Sequence, residues 1–121
     1  MSLRANGVRV DWRGRVEVDG TKVTGYLLAV EHPHGRTKAI FFARFGFSVA
    51  NPGAFSEALL AHAASAVLVG AEETAFGRKY VVEGPLRSPD QRDPLVRSIW
   101  FEADELRPVK LVTAYPAGGR R

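Results

Sequence analysis

The sequence predicts an α+β domain, with two or three N-terminal helices packed on one face of a four-stranded antiparallel meander sheet. Two observations lead there. Up to Gly70 the apolar residues recur mainly at helical spacing, and beyond it they alternate with polar ones, which is the period of a half-buried strand. The segments joining the alternating stretches are short and rich in turn residues, and short connections between sequential strands make them antiparallel. Helices first and strands afterwards place the helices over a sheet rather than between its strands. A length of 121 residues suits one hydrophobic core, so 1–121 is read as a single domain. Residues 1–6 are expected to be a flexible terminus and 117–121 a flexible basic tail.

Each element has its own signal. Val8, Val10, Trp12, Val16 and Val18 alternate, with a break at Arg13-Gly14-Arg15, and read as one or two short strands. Asp19 caps a short helix through Leu28, weakened by Gly20 and Gly25. His32-Pro33-His34-Gly35 is a loop, because Pro33 pushes the residue before it out of the helical region. Thr37 caps a helix over about 38–45, ended by Gly46. Asn51 and Pro52 start the next, on which Phe55, Leu59, His62 and Ala66 share an inward face. Residues 78–86, 95–102 and 109–115 then read as strands, and 67–76 supplies a fourth.

Composition narrows the function. Apolar residues make up 45% and charged residues 25%, a globular balance that excludes global disorder. No apolar run is long enough to span a bilayer, and the N-terminus lacks a basic stretch followed by an apolar one. The expected compartment is therefore the cytoplasm, with no membrane partner. With no cysteine there is no disulfide, thiolate zinc site or thiol nucleophile. There is also no glycine-rich phosphate loop, no serine at a nucleophile elbow and no acidic two-metal cluster. Neither a cofactor nor a metal is expected, which leaves metal-free chemistry or pure binding. The 17 basic and 13 acidic side chains are unevenly spread: residues 1–49 hold 8 and 4, the rest 9 and 9. A positive field concentrated in the first two-fifths favours polyanions such as RNA. Thirteen arginines against four lysines also fit a bias in genome composition.

The informative residues are polar ones at positions where the pattern asks for apolar ones. Lys38 shares a helix face with Phe41, Phe42 and Phe45. Either its ammonium snorkels outward, or it is a fixed cation aimed into a cleft. Arg97 lies on the strand face of Leu95, Ile99 and Phe101, so it is either neutralised by a carboxylate such as Glu83 or binds an anion. On the last strand Leu111, Thr113 and Tyr115 share a face. The two hydroxyls there are either good β-formers with paired tips or donors to a phosphate. His32 and His34 lie in one loop beside Lys38, as incidental surface residues or as acid–base groups. A His-x-His metal site lacks further ligands, since only Glu31 is near in sequence. His62, on an apolar helix face, reads as a satisfied core histidine.

Four ordered motifs carry a resemblance. His32-Pro33-His34-Gly35-Arg36-Thr37-Lys38, Lys79-Tyr80-Val81-Val82-Glu83-Gly84-Pro85-Leu86, Val96-Arg97-Ser98-Ile99-Trp100 and Leu111-Val112-Thr113-Ala114-Tyr115-Pro116 resemble an uncharacterised bacterial domain-of-unknown-function family over roughly 16–116. More distantly, His32, Lys38 with its phenylalanines and the closing Thr113-Ala114-Tyr115-Pro116 strand are similar to the barnase–EndoU–colicin–RelE superfamily of metal-independent RNases. That resemblance implies helices followed by a four-stranded antiparallel sheet. It also implies cleavage by attack of the ribose 2′-hydroxyl on the adjacent phosphorus, leaving a 2′,3′-cyclic phosphate. Such a route needs proton transfer and cations around a crowded phosphorane. The implied catalytic set is His32 for proton transfer, Lys38 and Arg97 for charge, and Thr113 to orient the phosphate. His34, Lys79, Tyr80, Trp100 and Tyr115 are the expected binding residues, the three aromatics as base-stacking platforms. The implied partners are RNA and a small acidic antitoxin-like protein over the basic cleft. The alternatives are a non-catalytic RNA- or protein-binding module of the same fold, an inactive member of a toxin–antitoxin or immunity pair, and a phosphate-ligand sensor.

Overall fold

The computed structural model describes Trp12 and residues 15–20 and 36–117 of the chain. The sheet has five strands: β1 (Val16–Glu17), β2 (Val67–Thr74), β3 (Gly77–Pro85), β4 (Leu95–Glu102) and β5 (Val109–Pro116). Helix α1 (Arg36–Ala43) and helix α2 (Pro52–Ser65) lie between β1 and β2 in the chain. The strand order is β1-β5-β4-β3-β2. From β2 to β5 neighbours pair antiparallel in sequence order, whereas β1 pairs parallel with β5.

The predicted architecture is therefore corrected. The sheet is mixed and five-stranded, and the two helices found among the described residues follow its first strand. A short strand at Val16 was expected from the alternation and is present as β1, but its place in the sheet was not, because its parallel partner β5 lies at the opposite end of the sequence. Arg15 holds the pair in place. Its carbonyl accepts from the Val109 N–H at 2.6 Å. Its guanidinium donates to Glu102 Oε2 at 2.8 Å and to the carbonyls of Asp104 and Arg107. Of the predicted tail, the Ala117 N–H donates to the Leu95 carbonyl at 3.0 Å. Residues 1–6 and 118–121, and nearly all of the helix expected through Leu28, lie outside the described residues. Among those described, no helix is long and apolar enough to cross a membrane.

The core fills the space between the helices and one face of the sheet. Phe42, Phe47, Phe55 and Leu59 meet Leu68, Val82, Val96, Trp100 and Ala114 there. Each large side chain so buried contributes about 1.5–3 kcal/mol. On α2 the buried residues are Phe55, Ala58, Leu59, His62 and Ala63, one stripe of an amphipathic helix. His62 is the polar pin of this layer. Its Nε2–H points at the carbonyls of Gly84 (3.0 Å) and Val96 (2.9 Å). Its Nδ1 meets Ser98 Oγ at 2.8 Å, and the same oxygen accepts from the Trp100 indole at 2.8 Å. Every polar atom of the group is satisfied, as a buried network requires.

The loop between β3 and β4 is fastened to the end of α1. Arg92 lies 4.5 Å over the Phe45 ring and donates to the Arg44 carbonyl at 2.6 Å. The Asp90 N–H reaches the Phe45 carbonyl at 3.2 Å. Gly46 turns the chain there at φ +102°, with Pro89 packed so closely that a Cβ would stand 2.9 Å from it; only glycine fits both demands.

Candidate functional site

Tyr115 joins two groups of residues. On β5 it stands directly opposite Arg97 of β4. With Pro116 it also lines a groove of about 370 Å³ whose other wall is α1 and the residue after it: Thr37, Lys38, Ile40, Phe41 and Arg44. Positions three and four apart on a helix lie above one another, so Thr37, Ile40 with Phe41, and Arg44 form one stripe. Lys38 is half-buried at the edge of the inward stripe made by Ala39 and Phe42.

A register shift aims the β5 side chains. Trp100 pairs with Leu111, but Ile99 pairs with Thr113, so Val112 is the extra residue of a bulge. Leu111 therefore faces the core with Trp100, while Thr113 and Tyr115 face outward with Ile99 and Arg97. The expectation that Leu111, Thr113 and Tyr115 share one face is corrected by this insertion, which strict alternation cannot show. The Thr113 hydroxyl is buried without a hydrogen-bond partner, a state that costs about 1–3 kcal/mol.

Arg97 is paired. Its Nε and one Nη donate to Glu83 Oε1 at 3.1 and 2.5 Å from the facing position on β3. The Glu83 carboxylate holds the guanidinium charged and raises its pKa above the usual arginine value. Neutralisation by Glu83, one of the two readings open from sequence, is thus present. A guanidinium has five donors, so the edge toward Tyr115 keeps capacity for another acceptor.

The remaining expected residues lie elsewhere. Lys79 pairs with Glu72 at 3.3 Å and faces Phe101, one full turn of the pleat and more from Arg97. Trp100 is wholly buried, and Tyr80 is buried edge-on to Trp12 at 5.0 Å. Burial, then the Glu102 carboxylate that accepts from its hydroxyl at 2.8 Å, pushes the Tyr80 phenol pKa up. Neither ring offers a face to a base, so both stacking assignments are corrected to core roles. His32 and His34 lie outside the described residues.

Thr37, Ile40 and Arg44 line the groove without having been singled out as site residues. Nothing in the sequence singles them out individually, although the run around them, residues 32–56, contains no Asp or Glu and holds Arg36, Lys38, Arg44 and two histidines. No carboxylate among the described residues lines the groove. Nor do three metal-ligating side chains gather anywhere among the described residues.

A chain of a contact-dependent growth inhibition toxin–immunity protein complex from Klebsiella pneumoniae 342 shares the fold. The TM-score is 0.64 at 15% identity, over 82% of this chain and 97% of that one. No curated protein matches the sequence. Residues 10–118 match one family over nearly their whole extent, and the chain belongs to it: the family of the domain of unknown function DUF6883.

Proposed function

We propose that this chain is a toxin-type domain that cleaves RNA without a metal ion: the ribose 2′-hydroxyl loses its proton and attacks the neighbouring phosphorus, and the bond to the 5′-oxygen of the next nucleotide breaks, that oxygen taking up a proton and leaving a 2′,3′-cyclic phosphate. One observation carries the reading: Lys38, Arg44 and Tyr115 line a groove that no carboxylate of the described residues lines, and Arg97 stands across the ladder from Tyr115. The cations of Lys38 and Arg44, with Arg97 beside them, suit the charge that grows on the phosphorane. Thr113, with its unpartnered hydroxyl on the same sheet face, is suited to donate to a phosphoryl oxygen. His32, a few positions before Lys38 in sequence, is assigned the proton transfer. The fold shared with a chain of a toxin–immunity protein complex is compatible with a toxin-type domain and equally with an immunity protein. A small acidic protein is the partner that a basic groove of this kind would take.

A second reading, a non-catalytic RNA- or protein-binding module, is favoured by the Arg97–Glu83 pair, which already occupies part of one expected catalytic cation. Incubation with total and transfer RNA in EDTA separates the two. The folded wild type is expected to cleave. Lys38→Ala and Arg97→Ala, with unchanged circular dichroism, are each expected to lose more than tenfold in rate. His32→Ala should lose turnover and keep affinity. A folded wild type that leaves RNA intact across about pH 5 to 8 sinks the nuclease reading and leaves the binding module.

A further inference from the structure

Ile40 is 42% exposed, although its neighbour Ala39 and the nearby Phe42 are buried. The core makes no use of it, and the groove does. With half-buried Phe41 it forms an apolar wall opposite Tyr115 and Pro116. Lys38 and Arg44 stand on either side of this wall, about 9 Å apart along the helix axis at 1.5 Å per residue. The groove is thus an apolar slot between two cations, with a volume in the range of small-ligand sites. A ligand matching it is flat, aromatic and flanked by two negative charges. A nucleobase between its own 5′ and 3′ phosphates has that form.

We propose that the α1–β5 groove holds one unstacked base of a single-stranded polynucleotide, between Ile40–Phe41 and Tyr115–Pro116, with its flanking phosphates on Lys38 and Arg44. This rests on, and deepens, the RNA-cleaving reading, because it names the substrate as single-stranded at the bound nucleotide. A base inside a duplex is covered on both faces by its neighbours and cannot enter. Two hydroxyls stand at the slot, those of Thr37 and Tyr115. Either hydroxyl can donate to, or accept from, the base edge.

The test separates binding from cleavage. The probe is a labelled seven-nucleotide 2′-O-methyl RNA, which lacks the attacking hydroxyl and cannot be cut by the proposed route. Its fluorescence anisotropy is read as the single strand, as a duplex and with one central base removed. The wild type is expected to prefer the single strand to the duplex by more than tenfold and to lose about fivefold on removal of the base. Ile40→Ala should lose about fivefold on the intact strand and be insensitive to the missing base; its exposed position keeps the fold intact. Equal affinity for duplex and single strand, or an Ile40→Ala variant that binds like wild type, overturns the slot. Cleavage of ordinary RNA with either of those results removes the slot and keeps the nuclease. The expected binding pattern without cleavage keeps the slot and removes the nuclease.

Discussion

Thr113 carries a test of whether its neighbourhood was shaped for stability or for a ligand. Its hydroxyl is enclosed and unpaired, and valine has the same branched shape without the polar atom. If the residue served only the sheet, Thr113→Val would leave RNA cleavage unchanged. The expected outcome is different: thermal stability equal to or above wild type, by up to about 1 kcal/mol, together with a loss of RNA cleavage of at least fivefold. Differential scanning calorimetry and the EDTA cleavage assay read the two sides. A variant that is fully active removes Thr113 from the site. Arg97 illustrates the opposite arrangement, in which a side chain doubtful from sequence has its partner, Glu83, directly across the ladder.

Among the elements, β1 depends most on a single side chain. Arg15 ties it to Glu102 and to the β4–β5 turn, and these charge-assisted bonds are partly exposed to water. Arg15→Ala is expected to cost about 1 kcal/mol and to speed hydrogen exchange at the Val109 amide more than at amides of β3 and β4. Uniform exchange would show that β1 is held by other means. The same elements show what was legible in the chain. In β3 and β4 the buried Tyr80, Val82, Val96 and Trp100 alternate strictly with less buried neighbours, and Pro52 opens α2. The strand at β1 was legible in Val16 and Val18 but its parallel pairing with distant β5 was not, and the β5 bulge shifts the aim of Thr113 and Tyr115 by an insertion that no local propensity encodes. Of the site, Lys38 was visible as a charge on an apolar stripe. Ile40 and Arg44 were not, because an exposed isoleucine and a terminal arginine on a helix are ordinary until a facing strand makes a wall.

At the level of the whole molecule, stability is linked to pH through the buried imidazole. Burial lowers the His62 pKa below its ordinary value of 6.5, and the bonds to Gly84 and Val96 oppose that only in part. The unfolded chain therefore takes up a proton near pH 6.5 that the folded chain refuses. The stability associated with the neutral ring is complete above that pH and is lost as pH falls through the folded value, at up to about 1.4 kcal/mol per pH unit. Urea midpoints between pH 8 and 5 should show this slope, and His62→Gln should flatten it. If that variant does not fold, the wild-type His62 ring resonances serve instead, and a normal titration near 6.5 would contradict the account. The parallel β1–β5 pair has a consequence for how the protein is made. Arg15 and Arg107, joined beside the β1–β5 pair by a side-chain bond, are 92 positions apart in the chain, and contacts so distant in sequence form late. During synthesis β1 emerges long before the strand it must join. Tyr115, one wall of the groove, belongs to that same late strand. A nascent or truncated chain ending before β5 would have neither a complete sheet nor a finished groove.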